Sequence, residues 1–177
     1  TLHHPRTSYE FIDRFLVTAE AYKIPVTIVI NKIDLYTNED MKEELAYFRY
    51  VYNKTAGYPI IEISALDGTG VDIIHNLING KVCLFSGNSG VGKSTLLNAI
   101  DPTLNLKTGA ISEAHNKGTH TTTFYEMFET AGGFIIDSPG IKGFGLIDID
   151  KSELSHFFPE IFRESANCRF NICTHTH

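Results

Sequence analysis

The sequence predicts an α/β fold in which a mostly parallel sheet carries helices on both faces. Two observations predict it. Short apolar, β-branched runs alternate with longer stretches of helical period, which is the pattern of βαβ units. The apolar runs also show no in–out alternation, as expected of parallel strands buried on both sides.

Taken in order, Thr7-Ser8-Tyr9-Glu10 fits a capping box with Thr7 as N-cap. Phe11, Ile12, Phe15, Leu16 and Ala19 then mark an amphipathic helix to about Tyr22. Pro25–Ile30 reads as a buried strand. A second helix is predicted from Glu39 to Lys54, with Met41, Leu45, Phe48 and Val51 on one face and Gly57 beyond its end. Pro59–Ile63 is a strand, Val71–Asn79 a helix stopped by Gly80, Lys81–Phe85 a strand and Lys93–Ile100 a helix. Residues 102–122 are polar and without period, which predicts a long functional loop. Phe124–Glu129 and Gly133–Ile136 read as strands joined by a hairpin turn at Gly132-Gly133. Ser152–Phe158 and Pro159–Arg163 read as two short helices, Pro159 suiting the first turn of the second.

The chain has 177 residues, 42% hydrophobic and 20% charged, which suits one compact domain with a small appendage and excludes a disordered chain. The formal net charge of -6 argues against a basic nucleic-acid face within this segment. No run of 18 apolar residues and no charged-then-apolar leader occurs, so neither a membrane span nor a secretory signal is read. Three cysteines do not make an even disulfide set, and the expected compartment is the reducing cytoplasm. Cys83, inside an apolar run, reads as a small buried hydrophobe. Cys168 and Cys173 with His175 point to metal. A start without Met and an end inside this Cys/His cluster read as a fragment of a longer protein.

Gly87-Asn88-Ser89-Gly90-Val91-Gly92-Lys93-Ser94 matches G-x-x-x-x-G-K-[ST] in full, follows a strand and opens a helix. Its backbone N–H groups suit phosphates, and the helix N-terminus adds a favourable dipole. Lys93 is expected to reach the β and γ phosphates and Ser94 to ligate Mg²⁺, with Thr95 beside it. Asn31-Lys32-Ile33-Asp34 follows the strand ending at Ile30 and chooses the base. The Asp34 carboxylate can accept from both the ring N–H and the exocyclic amine of guanine, a donor pair that adenine lacks. Asn31 is expected to brace the loops and the Lys32 stem to cover a ring face. Ser64-Ala65-Leu66 supplies a backbone N–H for the guanine carbonyl oxygen. Asp137-Ser138-Pro139-Gly140 follows the last strand, with Asp137 placed for the Mg²⁺ shell and the Gly140 N–H for the γ-phosphate. In Gly118-Thr119-His120-Thr121-Thr122-Thr123, a threonine hydroxyl can join Mg²⁺ only while the γ-phosphate is present, and Thr122 is favoured over Thr121.

These five motifs define a P-loop NTPase G domain, but in a rotated order, with the base loop ahead of the phosphate loop. Because every motif follows its own strand, rejoining the chain elsewhere preserves the site. The G domain is therefore circularly permuted.

The permuted order, G-N-S-G-V-G-K-S, T-H-T-T-T and D-S-P-G together resemble the circularly permuted GTPases that act on the bacterial small ribosomal subunit. That family continues with a helical zinc domain opening C-x4-C-x-H-x5-C. Cys168, Cys173 and His175 stand at its first three places, and the fourth falls beyond His177. The resemblance implies a G domain over residues 1–149, the start of the zinc domain over 150–177, and an absent N-terminal OB-fold for RNA contact. It also implies GTP as substrate, GDP and phosphate as products, Mg²⁺ and one Zn²⁺ as metals, and the small subunit with its rRNA as partner. The chain is expected to be monomeric.

Ile141 stands where many GTPases carry a water-orienting glutamine, and an apolar side chain cannot orient water. Slow intrinsic hydrolysis is therefore expected, stimulated when the small subunit orders the 102–122 loop, with His120 a candidate for positioning the water. Two other readings stay open. One is a non-hydrolysing GTP-gated binding module; the other is a permuted GTPase of large-subunit assembly, disfavoured by the C-x4-C-x-H tail.

Overall fold

The computed structural model describes residues 1–106, 108, 125–130, 132–138 and 149–169. The chain divides into two compact units. The first comprises Thr1–Thr7, Val29–Thr37 and Ile61–Lys142, and the second Ser8–Ile28, Asn38–Ile60 and Gly143–His177.

Among the described residues, two small sheets carry the fold. Strands β1 (Ile28–Ile30) and β2 (Ile60–Glu62) pair with each other. Their hydrogen bonds advance together along both strands, from Ile28 N–H to Pro59 and from Ile63 N–H to Ile30, so the pair is parallel. Strand β1 is shorter than the expected Pro25–Ile30, since Pro25 has no N–H to give a ladder and Ile24 is exposed. The second sheet has the order β3 (Val82–Phe85), β5 (Gly133–Asp137), β4 (Glu126–Thr130). Strands β3 and β5 are parallel, with Val82 opposite Phe134 and Phe85 opposite Asp137. Strand β4 is antiparallel to β5, with Thr130 opposite Gly133. A connection this short permits only a hairpin, whereas a parallel neighbour needs a crossover.

Helices α3 (Val71–Ile78) and α4 (Lys93–Ile100) pack on the first unit's strands. Ile74, Ile78, Leu96 and Leu97 form its core with Ile63 and Ile135, each 6% exposed or less. Burying a Leu or Ile side chain contributes roughly 1.5–3 kcal/mol, so this cluster holds the strand ends that carry the loops. Cys83 packs at the cluster's edge and is half-buried rather than fully buried.

In the second unit, helix α1 (Tyr9–Ala21) is capped by Ser8, whose Oγ accepts from Phe11 N–H at 3.2 Å. The cap is thus one residue later than the Thr7 reading: Ser8 has the extended backbone a cap requires and reaches the third helical N–H. Helix α2 (Glu39–Phe48) is capped by Asn38 and runs on into a π-helical stretch, Arg49–Thr55. The apolar period predicted one helix to Lys54. The wider turn shows in the Ala56 N–H, which donates to Val51, five residues back. Of the two predicted terminal helices, the first is a 3-10 turn, Leu154–Phe157. The second, α5 (Pro159–Ser165), begins at its proline.

Candidate nucleotide-binding site

The candidate loops of the first unit emerge from the carboxyl ends of β1, β2, β3 and β5, where α/β sheets place ligands. Asn31, the first residue after β1, joins three of them. Its Oδ1 accepts from the Lys32 N–H at 2.8 Å and from the Ala65 N–H at 3.0 Å. Its Nδ2 donates to the Val91 carbonyl at 2.9 Å. One buried amide therefore ties the base loop to both the serine loop and the phosphate loop, and every bond is to backbone, which fixes loop path rather than side-chain rotamer.

Lys32 takes a left-handed backbone conformation (φ 66°) that turns the chain into the 3-10 turn Ile33–Leu35. Its ammonium donates to the carbonyls of His4 at 2.7 Å and Gly90 at 2.8 Å. Partial burial lowers the Lys32 pKa, an effect countered by the nearby Asp34 carboxylate. Asp34 itself is exposed, its carboxylate open to a base. In the serine loop, Ser64 is fully buried and its Oγ accepts weakly from the Asp67 N–H at 3.4 Å. The Thr69 carbonyl and Ser64 N–H then close the turn at 3.0 Å.

The phosphate loop runs from β3 into α4, whose N-cap is Gly92. Gly92 has φ +95°, and a Cβ there would collide with the Asn31 amide nitrogen, so the brace and the glycine require each other. Lys93 lies in the first turn of α4, followed by half-buried Ser94 and Thr95. Its Nζ donates to the carbonyls of Gly87 at 2.8 Å and Asn88 at 3.2 Å, folding the side chain over its own loop. Burial pushes the Lys93 pKa down, while Asp137 across the site holds it up.

Asp137 ends β5 and is buried. Burial raises its pKa; the Lys93 charge opposes that rise and Glu126 adds to it. Its Oδ1 has no hydrogen-bond partner among the described residues. A buried carboxylate oxygen left open near the phosphate loop that carries Ser94 suits Mg²⁺, a hard cation that prefers oxygen ligands. The following Ser138 locks the end of β5 to the end of β3. Its N–H and Oγ donate to the Phe85 carbonyl at 3.1 and 2.9 Å.

Sequence reasoning missed Ser138, the His4 carbonyl and Gly70, whose φ is +71° and where a Cβ would meet the Glu62 carbonyl at 2.8 Å. Gly70 left a signal as a glycine just before a helix, and Ser138 stands within the Asp137–Gly140 motif without its own role being read. His120, Thr122, Gly140, Ile141, Cys173 and His175 lie outside the described residues. Cys168 is half-buried just beyond α5, its N–H donating to Ser165 at 3.0 Å. Among the described residues no group of three or more His, Cys, Asp or Glu is placed to hold a metal ion, and no helix is long and apolar enough to cross a membrane.

A phosphate loop on an α/β scaffold, preceded in the chain by a base-reading loop, defines the class as a circularly permuted G domain. The chain belongs to the RsgA GTPase family, whose model matches residues 1–147. It is 56% identical over 180 residues to the small ribosomal subunit biogenesis GTPase RsgA 2 of Bacteroides thetaiotaomicron, covering 100% of this chain and 57% of that protein. It is 51% identical over 176 residues to the namesake protein of Flavobacterium psychrophilum, covering 99% and 53%. The chain thus spans little more than half the length of these relatives. Among solved structures, YjeQ from Thermotoga maritima matches with a TM-score of 0.77 and 35% identity, over 99% of this chain and 57% of that one. YloQ, described as a circularly permuted GTPase, matches with a TM-score of 0.74 and 33% identity, over 98% and 54%.

Proposed function

We propose that this chain binds GTP and hydrolyses it to GDP and phosphate, as the G domain of a factor in late maturation of the small ribosomal subunit. The observation that carries the reading is the Asn31 brace, because it connects a guanine-selective loop to a phosphate loop through one side chain. The names of the relatives support the ribosomal assignment. The G domain spans 1–149 in this reading, and 150–177 begins a zinc-binding domain.

Asp34 reads the guanine edge, the Ala65 N–H meets the guanine carbonyl oxygen, and the Lys32 stem covers the ring. Residues 87–92 wrap the phosphates with backbone N–H groups. Lys93, whose Nζ already lies over this loop through the Gly87 and Asn88 carbonyls, is the cation for the β and γ phosphates. Ser94 and Asp137 would hold Mg²⁺, Thr122 would join them in the GTP state, and Gly140 N–H is assigned to the γ-phosphate. The bound Mg²⁺ supplies charge neutralisation at the phosphates. Cys168, Cys173 and His175 supply three zinc ligands. The small subunit and its rRNA are the partners, the protein is a cytoplasmic monomer, and intrinsic turnover is slow because no glutamine orients the water. His120 assists that step.

Phosphate release by the full-length protein from GTP and from ATP tests the reading. Release from GTP alone, lost on Lys93→Ala, supports it; equal release from both nucleotides overturns it.

A further inference from the structure

The second unit contains a cavity of about 400 Å³, lined by α1, the π-helical stretch and the segment Phe157–Glu160. Its volume lies in the range of small-molecule sites. The walls are aromatic: Tyr9 and Tyr52 stack with centroids 6.2 Å apart and planes 6° from parallel, and Tyr58, Phe157 and Phe158 add further rings. Two carboxylates, Asp13 and Glu160, face the same space, and among the described residues that line it there is no Lys, Arg or His.

The carboxylates are unequally satisfied. Asp13 Oδ1 accepts from the Tyr52 hydroxyl at 2.7 Å. Glu160 Oε2 is buried and has no partner among the described residues. A carboxylate oxygen buried against aromatic rings without a donor is left unsatisfied, and a cation is its natural partner. Ring faces attract cations too, most strongly once the cation is desolvated. The wall carrying Glu160 is held in place by Arg163, which donates to the Ala56 carbonyl at 3.4 Å and to that of Thr55. Burial first, then the hydrogen bonds of Tyr52 to Asp13 and of Tyr58 to Glu20, push both phenols well above their usual range, so both stay neutral, as ring faces for a cation should.

We propose that this cavity binds a small alkyl diammonium ion, one ammonium at Glu160 Oε2 and the other toward Asp13, its chain against the tyrosine rings. The occupant is dicationic because two carboxylates share one cavity, and alkyl because the remaining lining is aliphatic and aromatic. This goes beyond the nucleotide reading and does not depend on it.

The test is titration of the full-length protein with putrescine, and separately with spermidine, at physiological ionic strength with Mg²⁺ present and 1,4-butanediol as the neutral control. Saturable binding is expected for the amines only, with a matching rise in the unfolding midpoint. Glu160→Gln and Asp13→Asn should each weaken it at least tenfold, while GTP affinity stays unchanged. Tyr9→Leu keeps both charges and should weaken binding severalfold, so the proposal stays testable if a charge variant fails to fold. Absence of saturable amine binding, or equal affinity in Glu160→Gln, overturns it.

Discussion

The Asn31 amide reaches the Val91 carbonyl at 2.9 Å, across sixty residues of chain. In a permuted domain the base loop precedes the phosphate loop, yet the two are joined as directly as neighbours. The order of strands along the chain is free to rotate because the site is held by side chain to backbone bonds, not by sequence proximity.

Replacing Asn31 by Ala leaves the buried Ala65 N–H and Val91 carbonyl without this partner. Each such loss costs about 1–3 kcal/mol. The unfolding midpoint should fall, and GDP affinity should drop at least tenfold, more than in any variant of the exposed face of α2. Calorimetry and nucleotide titration check both. Unchanged GDP affinity would contradict the bracing role.

Gly92→Ala places a methyl group against the same amide, at a φ of +95°. Left-handed backbone costs a residue with a Cβ roughly 1–2 kcal/mol before the clash is counted. Nucleotide binding should be lost while the secondary structure seen by circular dichroism persists.

Asp34→Asn exchanges an acceptor pair for one acceptor and one donor. The variant should lose guanine affinity by about 10²-fold or more and gain affinity for xanthine nucleotides, whose 2-position carries a carbonyl. Competition between GTP and XTP reads this directly. Retained GTP preference would remove Asp34 from the base site.

The Tyr52 and Tyr58 phenols are held above their ordinary range by burial first, then by hydrogen bonds to Asp13 and Glu20. A group whose folded pKa is raised contributes stability that is full below its unfolded value and is lost as pH rises. For tyrosine the loss begins near pH 10 or so. Stability should therefore fall more steeply above that pH in the native protein than in a Tyr52→Phe, Tyr58→Phe variant. Urea unfolding across the alkaline range measures it.

Much of the fold was legible because its signals are local. The α4 helix has the bounds its sequence predicts, since a glycine starts it and a strand precedes it. The N-cap was misplaced by one residue because Thr7 and Ser8 carry the same hydroxyl and only backbone conformation separates them. The π-helical widening shows only in the structure, where Tyr52 and not Val51 is the residue buried after Phe48; of the apolar face read from sequence, Val51 alone falls in that stretch. Within the site, the motif alone marks Asn31 as a brace, but its Val91 partner is visible only in the structure. The aromatic cavity was illegible for a plainer reason: Asp13 and Glu160 stand far apart in the chain and meet only in the fold.

We propose this chain as the engine of a GTPase whose turnover the small ribosomal subunit controls. It is tested most directly by GTP hydrolysis of the full-length protein with and without purified small subunits, beside Lys93→Ala. Slow release alone, at least tenfold stimulation by the subunit, and background release from Lys93→Ala in both conditions are expected. Background-level release from the native protein with and without subunits would contradict it.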